Sequence, residues 1–230
     1  VVITGGAGFI GSHAVDLCLN EGMKVRVIDN LYGGREQNLQ HHFSETNLSV
    51  EIGDIRDIQP DANVFKDATY VLHFAGIGDI VPSIERPEEY MDVNAFGTLK
   101  VLEASRTHGI KKFVYAASSS CYGVADVPTD EQHHIDTKYP YALSKYQGEM
   151  IALHWHRVYG LPVNSIRIFN AYGPRSRTSG AYGAVFGVFL KQKLAEKPFT
   201  VVGDGEQTRD FLFVTDVARA FLLGAQTDLS

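Results

Sequence analysis

The chain opens with the stretch Val1–Ser12, which reads Val-Val-Ile-Thr-Gly-Gly-Ala-Gly-Phe-Ile-Gly-Ser. A short β-branched run leads into a glycine-rich turn, and an apolar-periodic helix follows. In such a unit, glycines let the backbone approach a pyrophosphate that lies at the helix N-terminus. Gly8 and Gly11 can be counted together with either Gly5 or Gly6, so two glycine spacings fit. The stretch predicts a nucleotide-binding strand, turn and helix.

The residues after this helix support that prediction. A second apolar strand, Lys24–Ile28, ends in Asp29, which lies 18 residues beyond Gly11. An acid at about this distance hydrogen-bonds the 2′-hydroxyl of an adenosine ribose, and it repels the 2′-phosphate of NADP. Asp29 therefore favours NAD, whereas Arg35 in the next Gly-rich loop favours NADP. A plain turn residue at the end of a strand is the alternative reading of Asp29.

Strands and helices alternate through the first 170 residues, which indicates an α/β fold with a doubly wound parallel sheet and right-handed crossovers. The later predicted strands are Leu48–Ile52, Tyr70–Phe74, Lys112–Ala117 and Pro162–Ile168, and the long helices are Glu88–His108 and Tyr141–Tyr159. Beyond them we predict a helix at Gly183–Ala195, a strand at Phe199–Val202, and a final strand and helix, the helix from Thr215. The predicted domains are a Rossmann domain (1–170), part of a substrate-binding cap (171–208), and a segment returning to the Rossmann domain (209–230).

Composition and charge limit the classes of partner. The 230 residues carry a net charge of -6 without a basic block, so neither nucleic acid nor an anionic membrane is expected as a partner. No apolar run reaches the ~18 residues that span a bilayer. Cys18 and Cys121 lack metal-type spacing and indicate reduced thiols of a cytoplasmic protein, and no metal site is predicted. Because the chain begins at Val1 inside a strand and stops at Ser230 after a helix, we expect a longer protein.

A second stretch carries chemistry: Tyr141-Ala142-Leu143-Ser144-Lys145. Tyr141 and Lys145 are four residues apart, so on a helix their side chains lie one turn apart on the same face. At ~5 Å and an effective dielectric of ~20, the ammonium favours the phenolate by roughly 3 kcal/mol, which lowers the pKa by about two units from ~10. The spacing predicts a base near neutral pH, although the same pair also occurs on helices without any catalytic role.

Several strand ends carry residues that could meet a ligand. Asp54 could accept a hydrogen bond from an adenine amino group or cap a turn, and Ala75 and Gly76 are small enough for a cofactor to pass. The hydroxyls of Ser118–Ser120 follow the fifth strand, where open α/β sheets bind ligands, but a Ser-rich turn is the alternative. Asn94, inside a predicted helix, matters only if it is buried.

Four motifs occur in a characteristic order: Thr4–Ser12, Ser118–Gly123, Tyr141–Lys145, and Arg167–Arg175 with its Asn-Ala-Tyr-Gly-Pro-Arg run. With them the chain resembles the extended short-chain dehydrogenase/reductases, and most of all nucleotide-sugar epimerases of the UDP-glucose 4-epimerase type. The motifs span almost the whole chain, and they are more specific for the superfamily than for the sugar.

The resemblance implies an NAD site, a catalytic set and a substrate site. The implied cofactor residues are Gly5, Gly8, Phe9, Ile10, Gly11, Asp29, Asn30, Gly34, Arg35, Asp54, Ile55, Phe74, Ala75, Gly76, Asn94, Tyr141, Lys145 and Phe169. The implied catalytic residues are Ser118, Tyr141 and Lys145. A nucleotide-diphosphate sugar would be bound by Ser118, Ser119, Ser120, Tyr141, Asn170 and Arg209. In this reading Tyr141 is the base, and Asn170 and Arg209 hold the diphosphate.

The residues after Ser118 bear on the reaction. Dehydratases of the family carry an Asp and a Glu there, and decarboxylases typically carry a Glu at the second position, whereas this chain has Ser119 and Ser120. Epimerisation at C4 through a transient 4-keto sugar is therefore favoured over an NAD(P)-dependent 4-keto-sugar reductase or dehydratase. A non-catalytic dinucleotide sensor is a remote alternative. The loop Ile77–Arg86 has Gly78 where some 4-epimerases carry a Lys, so the sugar stays open. The resemblance further implies a homodimer through the two long helices.

Overall fold

A six-stranded parallel sheet organises the protein in the computed structural model, which describes residues 1–176, 185–201 and 203–228. Its strands are β1 (Val2–Thr4), β2 (Val25–Asp29), β3 (Leu48–Ile52), β4 (Tyr70–His73), β5 (Lys112–Ser118) and β6 (Val163–Ile168). They lie in the order β3-β2-β1-β4-β5-β6, and every neighbouring pair is parallel. The predicted doubly wound Rossmann fold is confirmed. Its strand order reverses between β1 and β4, where such sheets bind ligands.

Helices cover both faces of this sheet. They are α1 (Phe9–Asn20), α2 (Ile80–Glu85), α3 (Pro87–Met91), α4 (Thr98–Thr107), α5 (Pro140–Tyr159), α6 (Val185–Leu194) and α7 (Val214–Gln226). Two short parallel strands, β7 (Asn170–Tyr172) and β8 (Phe211–Phe213), form a second sheet. Within the described ranges, no helix is both long enough and apolar enough to cross a membrane.

Two apolar layers form the core, one on each face of the sheet. On one face, buried residues of β4, β5 and β6 pack against α3, α4 and α5, with Phe65, Tyr90 and Tyr115 among the largest. On the other face, α1 and α7 pack together over β1 and β2. Phe221 of α7 packs against Phe74, with ring centroids 4.3 Å apart and ring planes tilted by 36°. The helix α7 thus contributes to the core on this face of the sheet.

Two predicted elements differ from the structure. The strand predicted at Phe199–Val202 is wrong over its described part, because residues 199–201 make no ladder and residue 202 lies outside the description. There the β-branched and aromatic residues pack instead as a loop, with Phe199 stacked on Phe189 at 4.8 Å. Of the helix predicted at Gly183–Ala195, residues 183 and 184 also lie outside the described ranges, and α6 begins at Val185.

The helix predicted at Glu88–His108 is interrupted by a π-helical segment. Asp92–Gly97 lies between α3 and α4, and the chain continues without a turn on either side. The segment contains Asn94, which is fully buried, and Gly97, whose added Cβ would lie 2.6 Å from Ile55 Cδ1. π-helical insertions of this kind are frequent at functional sites.

Candidate active site

The glycine turn after β1 has room for glycine alone at two points. Gly5 has φ +70°, a left-handed conformation that other residues rarely adopt, and an added Cβ would lie 2.6 Å from the Ala75 nitrogen. At Gly11 an added Cβ would lie 2.1 Å from the Gly5 carbonyl oxygen. The turn therefore packs against the end of β4 and lets α1 begin close to its strand. With no acidic residue and no side-chain cap in the first turn of α1, its amide groups fit a phosphate.

Asp29 ends β2 facing this turn. Its two carboxylate oxygens accept hydrogen bonds from the Ala7 nitrogen (2.9 Å) and the Leu31 nitrogen (2.8 Å), and burial raises its pKa. The loop folds tightly over it, since a Cβ on Gly34 would lie 2.8 Å from one oxygen. Because a carboxylate offers about four lone-pair sites, Asp29 can still accept a ribose hydroxyl. This geometry fits the prediction of an NAD ribose contact.

Of the two roles predicted for Asp54, the structure shows the cap of a turn. Arg56 donates three hydrogen bonds to its carboxylate, from the backbone (2.9 Å), Nε (2.9 Å) and Nη2 (2.7 Å), and Asn30 donates a fourth at 2.8 Å. Hydrogen bonds from the Arg56 side chain hold the Asp54 pKa at about 2. Four donors fill the roughly four lone-pair sites of a carboxylate. An adenine amino group could bind Asp54 only by displacing one of these partners.

An open cleft of about 480 Å³ lies beside the glycine turn. One wall is the loop after β2, including the predicted cofactor residues Gly34 and Arg35, and the other is formed by the segment from Ile77 to Tyr90. The ring of Tyr90 meets that of Tyr141 edge-on, with centroids 6.3 Å apart. The cleft thus lies between the predicted cofactor loop and Tyr90, whose ring contacts that of the predicted catalytic tyrosine.

The structure brings together the three predicted catalytic residues. The Tyr141 hydroxyl donates to Ser118 Oγ at 3.4 Å, and Ser118 Oγ lies 2.8 Å from Ser120 Oγ. Lys145, one turn further along α5, is 7% exposed, and its Nζ lies 4.6 Å from the centroid of the Tyr115 ring. A Cβ on Gly76 would lie 3.6 Å from that Nζ, so the ammonium borders the loop predicted to hold the middle of the cofactor.

The predicted lowering of the Tyr141 pKa is wrong for this geometry. Burial raises the pKa of Tyr141, and the hydrogen bond to Ser118 opposes that rise only in part. Burial also lowers the pKa of Lys145 to about 8. In a polar medium the attraction between the two charges would lower the pKa of Tyr141, but inside the protein the loss of solvent disfavours both charged forms.

Asn94 positions the site rather than touching its surface. Its Oδ1 accepts a hydrogen bond from the Ile77 nitrogen (2.8 Å), and its Nδ2 donates to the Ile77 carbonyl (3.1 Å) and to Ser144 Oγ (2.9 Å). At 0% exposure it contacts protein on every side. Asn94 therefore acts as a brace that ties the loop after β4 to the helix of Tyr141 and Lys145, and its contact with a cofactor stays a prediction.

Other residues around the triad were missed from the sequence. His73, whose pKa burial lowers to about 3, bridges Thr4 Oγ1 (2.6 Å) and Thr98 Oγ1 (2.9 Å), and Thr98 donates to the Asn94 carbonyl at 2.7 Å. Tyr115 donates to the Lys145 carbonyl at 3.0 Å. Each is a polar residue in an otherwise apolar strand or helix face, and that pattern alone could have marked it as a buried hydrogen-bonding group.

The predicted diphosphate residues lie close together. Asn170 Nδ2 donates to the Asp210 carbonyl at 3.1 Å, and β7 pairs with β8 in the register Asn170↔Phe211. Arg209 is exposed and donates to the Thr208 carbonyl at 2.7 Å, so its guanidinium can turn to a ligand. Phe169, 36% exposed, stacks obliquely on Tyr122 at 6.4 Å.

An ion-pair cluster lies away from the triad and joins α1 to the segment after β7. Asp16 accepts hydrogen bonds from His41 (3.0 Å) and His42 (2.9 Å) through one oxygen, and Arg175 lies 2.8 Å from the other. His13 contacts the Pro174 carbonyl at 3.1 Å. Ligand atoms of Asp16, His41 and His42 lie within 4.8 Å of one another, but Arg175 already supplies a cation there. The cluster therefore attaches this segment to the Rossmann domain.

Comparisons with known proteins agree with this geometry. The sequence model of the NAD dependent epimerase/dehydratase family matches residues 1–229. A UDP-N-acetylglucosamine 4-epimerase from Methanobrevibacter ruminantium M1, solved with UDP-N-acetylmuramic acid, is 36% identical, with a TM-score of 0.95 over 100% of this chain and 73% of that one. A UDP-glucuronic acid 4-epimerase from Bacillus cereus, solved with UDP-glucuronic acid and NAD, is 30% identical, with a TM-score of 0.90 over 99% and 73%. UDP-glucuronic acid decarboxylase 2 of Arabidopsis thaliana is 33% identical over 96% of this chain and 49% of its own length.

Proposed function

The chain belongs to the NAD dependent epimerase/dehydratase family, and from this premise we propose that it interconverts C4 epimers of a nucleotide-diphosphate sugar. The observation that carries the proposal is the contact of Tyr141 with Ser118 beside the buried ammonium of Lys145. Bound NAD takes up and returns the hydride of the sugar carbon. The protein's own residues bind the sugar, move the hydroxyl proton and keep water out.

Tyr141 and Ser118 act on the sugar hydroxyl. As its carbon is oxidised to the ketone, the hydroxyl proton passes to the phenolate form of Tyr141, and Ser118 Oγ orients the oxygen by a hydrogen bond. Because burial raises the pKa of Tyr141, this step needs the positive charges of Lys145 and of the nicotinamide, when it is bound, to favour the phenolate. The same proton returns to the oxygen when the ketone is reduced on its other face, so neither cofactor nor enzyme changes over the cycle. Ser120, bonded to Ser118, holds the serine hydroxyl in place.

The serines after Ser118 support epimerisation over elimination. A dehydratase needs an acid and a base beside the sugar ring to remove water, and Ser119 and Ser120 offer only hydroxyl groups near neutral pH. Asn170 and Arg209 would anchor the diphosphate, because a guanidinium binds phosphate oxygens in a bidentate way. Anchored in this way, the 4-keto sugar could turn its other face to the cofactor without leaving the site.

An activity assay of the purified wild-type protein tests this proposal. Purified with NAD, it is given UDP-, dTDP-, GDP- and CDP-sugars, and the ratio of 4-epimers is followed by NMR. The proposal predicts that Tyr141→Phe lowers turnover by orders of magnitude while NAD affinity stays within about twofold, with the half-buried, off-site Tyr70→Phe as the matched control. Net consumption of NADPH without isomer exchange would instead identify a reductase.

We also propose a homodimer through α4, α5 and the π-helical segment. Phe96, Leu143 and Met150 are 49%, 38% and 39% exposed, and apolar side chains at this exposure suit a subunit interface. Sedimentation velocity should give a dimer for the wild type and a monomer for Met150→Glu. The buried free thiols of Cys18 and Cys121 support a reducing, cytoplasmic location.

A further inference from the structure

One guanidinium joins the chain segments that carry the proposed catalytic hydroxyls. Arg167 lies on β6, and its Nε donates to both carboxylate oxygens of Glu149 on α5, each at 3.1 Å. Its Nη1 donates to the Tyr122 hydroxyl at 2.7 Å and to the Glu131 carbonyl at 3.3 Å. Tyr122 ends the single helical turn Ser119–Tyr122, named the serine turn below. Arg167 thus contacts the catalytic helix, the serine turn and the loop between them.

The ion pair of Arg167 with Glu149 is largely buried. Their side chains are 17% and 5% exposed. Removing two such charges from water costs about as much free energy as their attraction returns, so a buried pair adds little net stability. Its hydrogen bonds, however, form only within a narrow range of lengths and angles. The main effect of the pair is therefore on geometry, because it fixes α5 relative to β6 and the serine turn.

The serine turn sets the direction of the Ser118 hydroxyl. The Ser120 nitrogen donates to Ser118 Oγ at 3.2 Å, and the Ser120 hydroxyl lies 2.8 Å from the same oxygen. Tyr122, at the end of the turn, is 3% exposed and is held by Arg167. The backbone of Ser118 is fixed separately, by the pairing of β5 with β6. The sheet thus places the backbone of Ser118, and the turn orients its hydroxyl.

The partner of this hydroxyl lies on the helix that Arg167 also holds. Tyr141 and Glu149 are both on α5, so a shift of the helix moves both. The Tyr141 hydroxyl donates to Ser118 Oγ at 3.4 Å, which is long for a bond between two hydroxyl groups and leaves little room for further separation. The distance between these two oxygens therefore depends on the contacts of Arg167 with the turn and the helix.

We propose that Arg167 is a positioning residue, which holds the Ser118 hydroxyl beside that of Tyr141 through its bonds to Tyr122 and Glu149. The inference rests on the proposed function, because that function assigns the two hydroxyls to one sugar oxygen. Groups that act together on a substrate must be held within about 0.5 Å of their productive positions, and a displacement of about 1 Å can reduce turnover by ~100-fold.

Tyr122→Phe tests this role, because it removes one hydroxyl and alters no charge near Lys145. A substitution of Arg167 itself would leave Glu149 buried without its partner and can prevent folding. We expect Tyr122→Phe to lower kcat about tenfold, with the KM for a UDP-sugar and the Kd for NAD within about twofold of the wild type. Tyr70→Phe, at the amino end of β4, is the matched control and should leave all three constants unchanged.

The same substitution in a Ser118→Ala protein distinguishes positioning from a general effect on the fold. Ser118→Ala leaves no hydroxyl for the turn to orient, so adding Tyr122→Phe should then change kcat by less than about twofold. A further tenfold loss in that protein would overturn the inference, because Tyr122 would then act on another part of the site. An unchanged kcat in Tyr122→Phe alone would overturn it as well.

Crystal structures of the wild type and Tyr122→Phe, each with NAD, separate this inference from the proposed function. The distance from Ser118 Oγ to Tyr141 Oη should be longer in the variant by at least ~0.5 Å. An unchanged distance would overturn the inference, whatever the activity of the variant. If the wild type epimerises no nucleotide sugar, the proposed function fails, and the two structures still decide whether Arg167 holds the two hydroxyls together.

Discussion

The hydrogen bonds of Asn94 can be tested quantitatively, because their loss should lower both the stability and the activity of the protein. In Asn94→Ala, the Ile77 nitrogen and carbonyl and the Ser144 hydroxyl each lose a hydrogen-bonding partner inside the protein. Such bonds contribute about 0.5–1.5 kcal/mol each, and a buried polar group left unpaired costs about 1–3 kcal/mol. We expect the free energy of unfolding to fall by about 3 kcal/mol.

Activity should fall together with stability, because the brace joins the loop of Gly76 to the helix of Lys145. A displacement of about 1 Å at this joint can reduce turnover by up to ~100-fold. Urea unfolding gives the stability and epimer exchange gives the turnover. The exposed Asn63→Ala is the control and should change stability by less than ~0.5 kcal/mol.

Ser144→Ala removes one of the three Asn94 bonds and the bond that Ser144 Oγ donates to the Tyr141 carbonyl (2.8 Å), so it should lose about 1–2 kcal/mol. The reasoning is refuted if Asn94→Ala loses less than ~1 kcal/mol, or if Ser144→Ala loses more than Asn94→Ala.

Three further outcomes follow from packing and burial. Gly148→Ala should destabilise the protein by about 1–3 kcal/mol or prevent folding, because the added Cβ would lie 2.2 Å from Tyr115 Oη. The melting temperature measures this effect, and an unchanged melting temperature would contradict the prediction. Gly224 also lies on a helix, but the nearest atom to its added Cβ would be 3.5 Å away. Gly224→Ala should therefore stabilise the protein by up to ~1 kcal/mol. Equal effects of the two substitutions would contradict the packing argument. Because burial lowers the pKa of folded Lys145 to about 8 from 10.5, the unfolded chain binds more protons between these pH values. The free energy of unfolding of the wild type should therefore rise relative to that of Lys145→Met by up to ~3 kcal/mol as the pH goes from 8 to 10.5. Urea titrations at each pH measure this difference. A difference that stays constant would show that Lys145 does not titrate in this range.

Much of the site could be predicted because its parts obey local rules. Gly5 is required by its positive φ and Gly11 by crowding against the Gly5 carbonyl, and Tyr141 and Lys145 share a helix face by their spacing alone. Ser118 ends a strand whose neighbours in the sheet follow from alternation. Such features depend on residues near one another in the chain, so a pattern can reveal them.

Other contacts of the site join distant segments of the chain, and no local pattern predicts them. Asn94 reaches Ile77 and Ser144, 17 and 50 residues away, and nothing in its own helix indicates them. Asp54 takes three of its hydrogen bonds from the nearby Arg56 but the fourth from Asn30 at the neighbouring strand end. Such partners come together only when the sheet assembles.

The amino-acid sequence by itself determined the parallel α/β sheet, the glycine turn and the family resemblance, because periodicity and short motifs are local properties. The tertiary structure alone decided the charge balance of the site. Burial raises the pKa of Tyr141, whereas the spacing to Lys145 predicts a lower value, because the loss of water disfavours the charged form of each group. The tertiary structure also placed Arg167 between Glu149 and Tyr122, which the spacing of residues could not show.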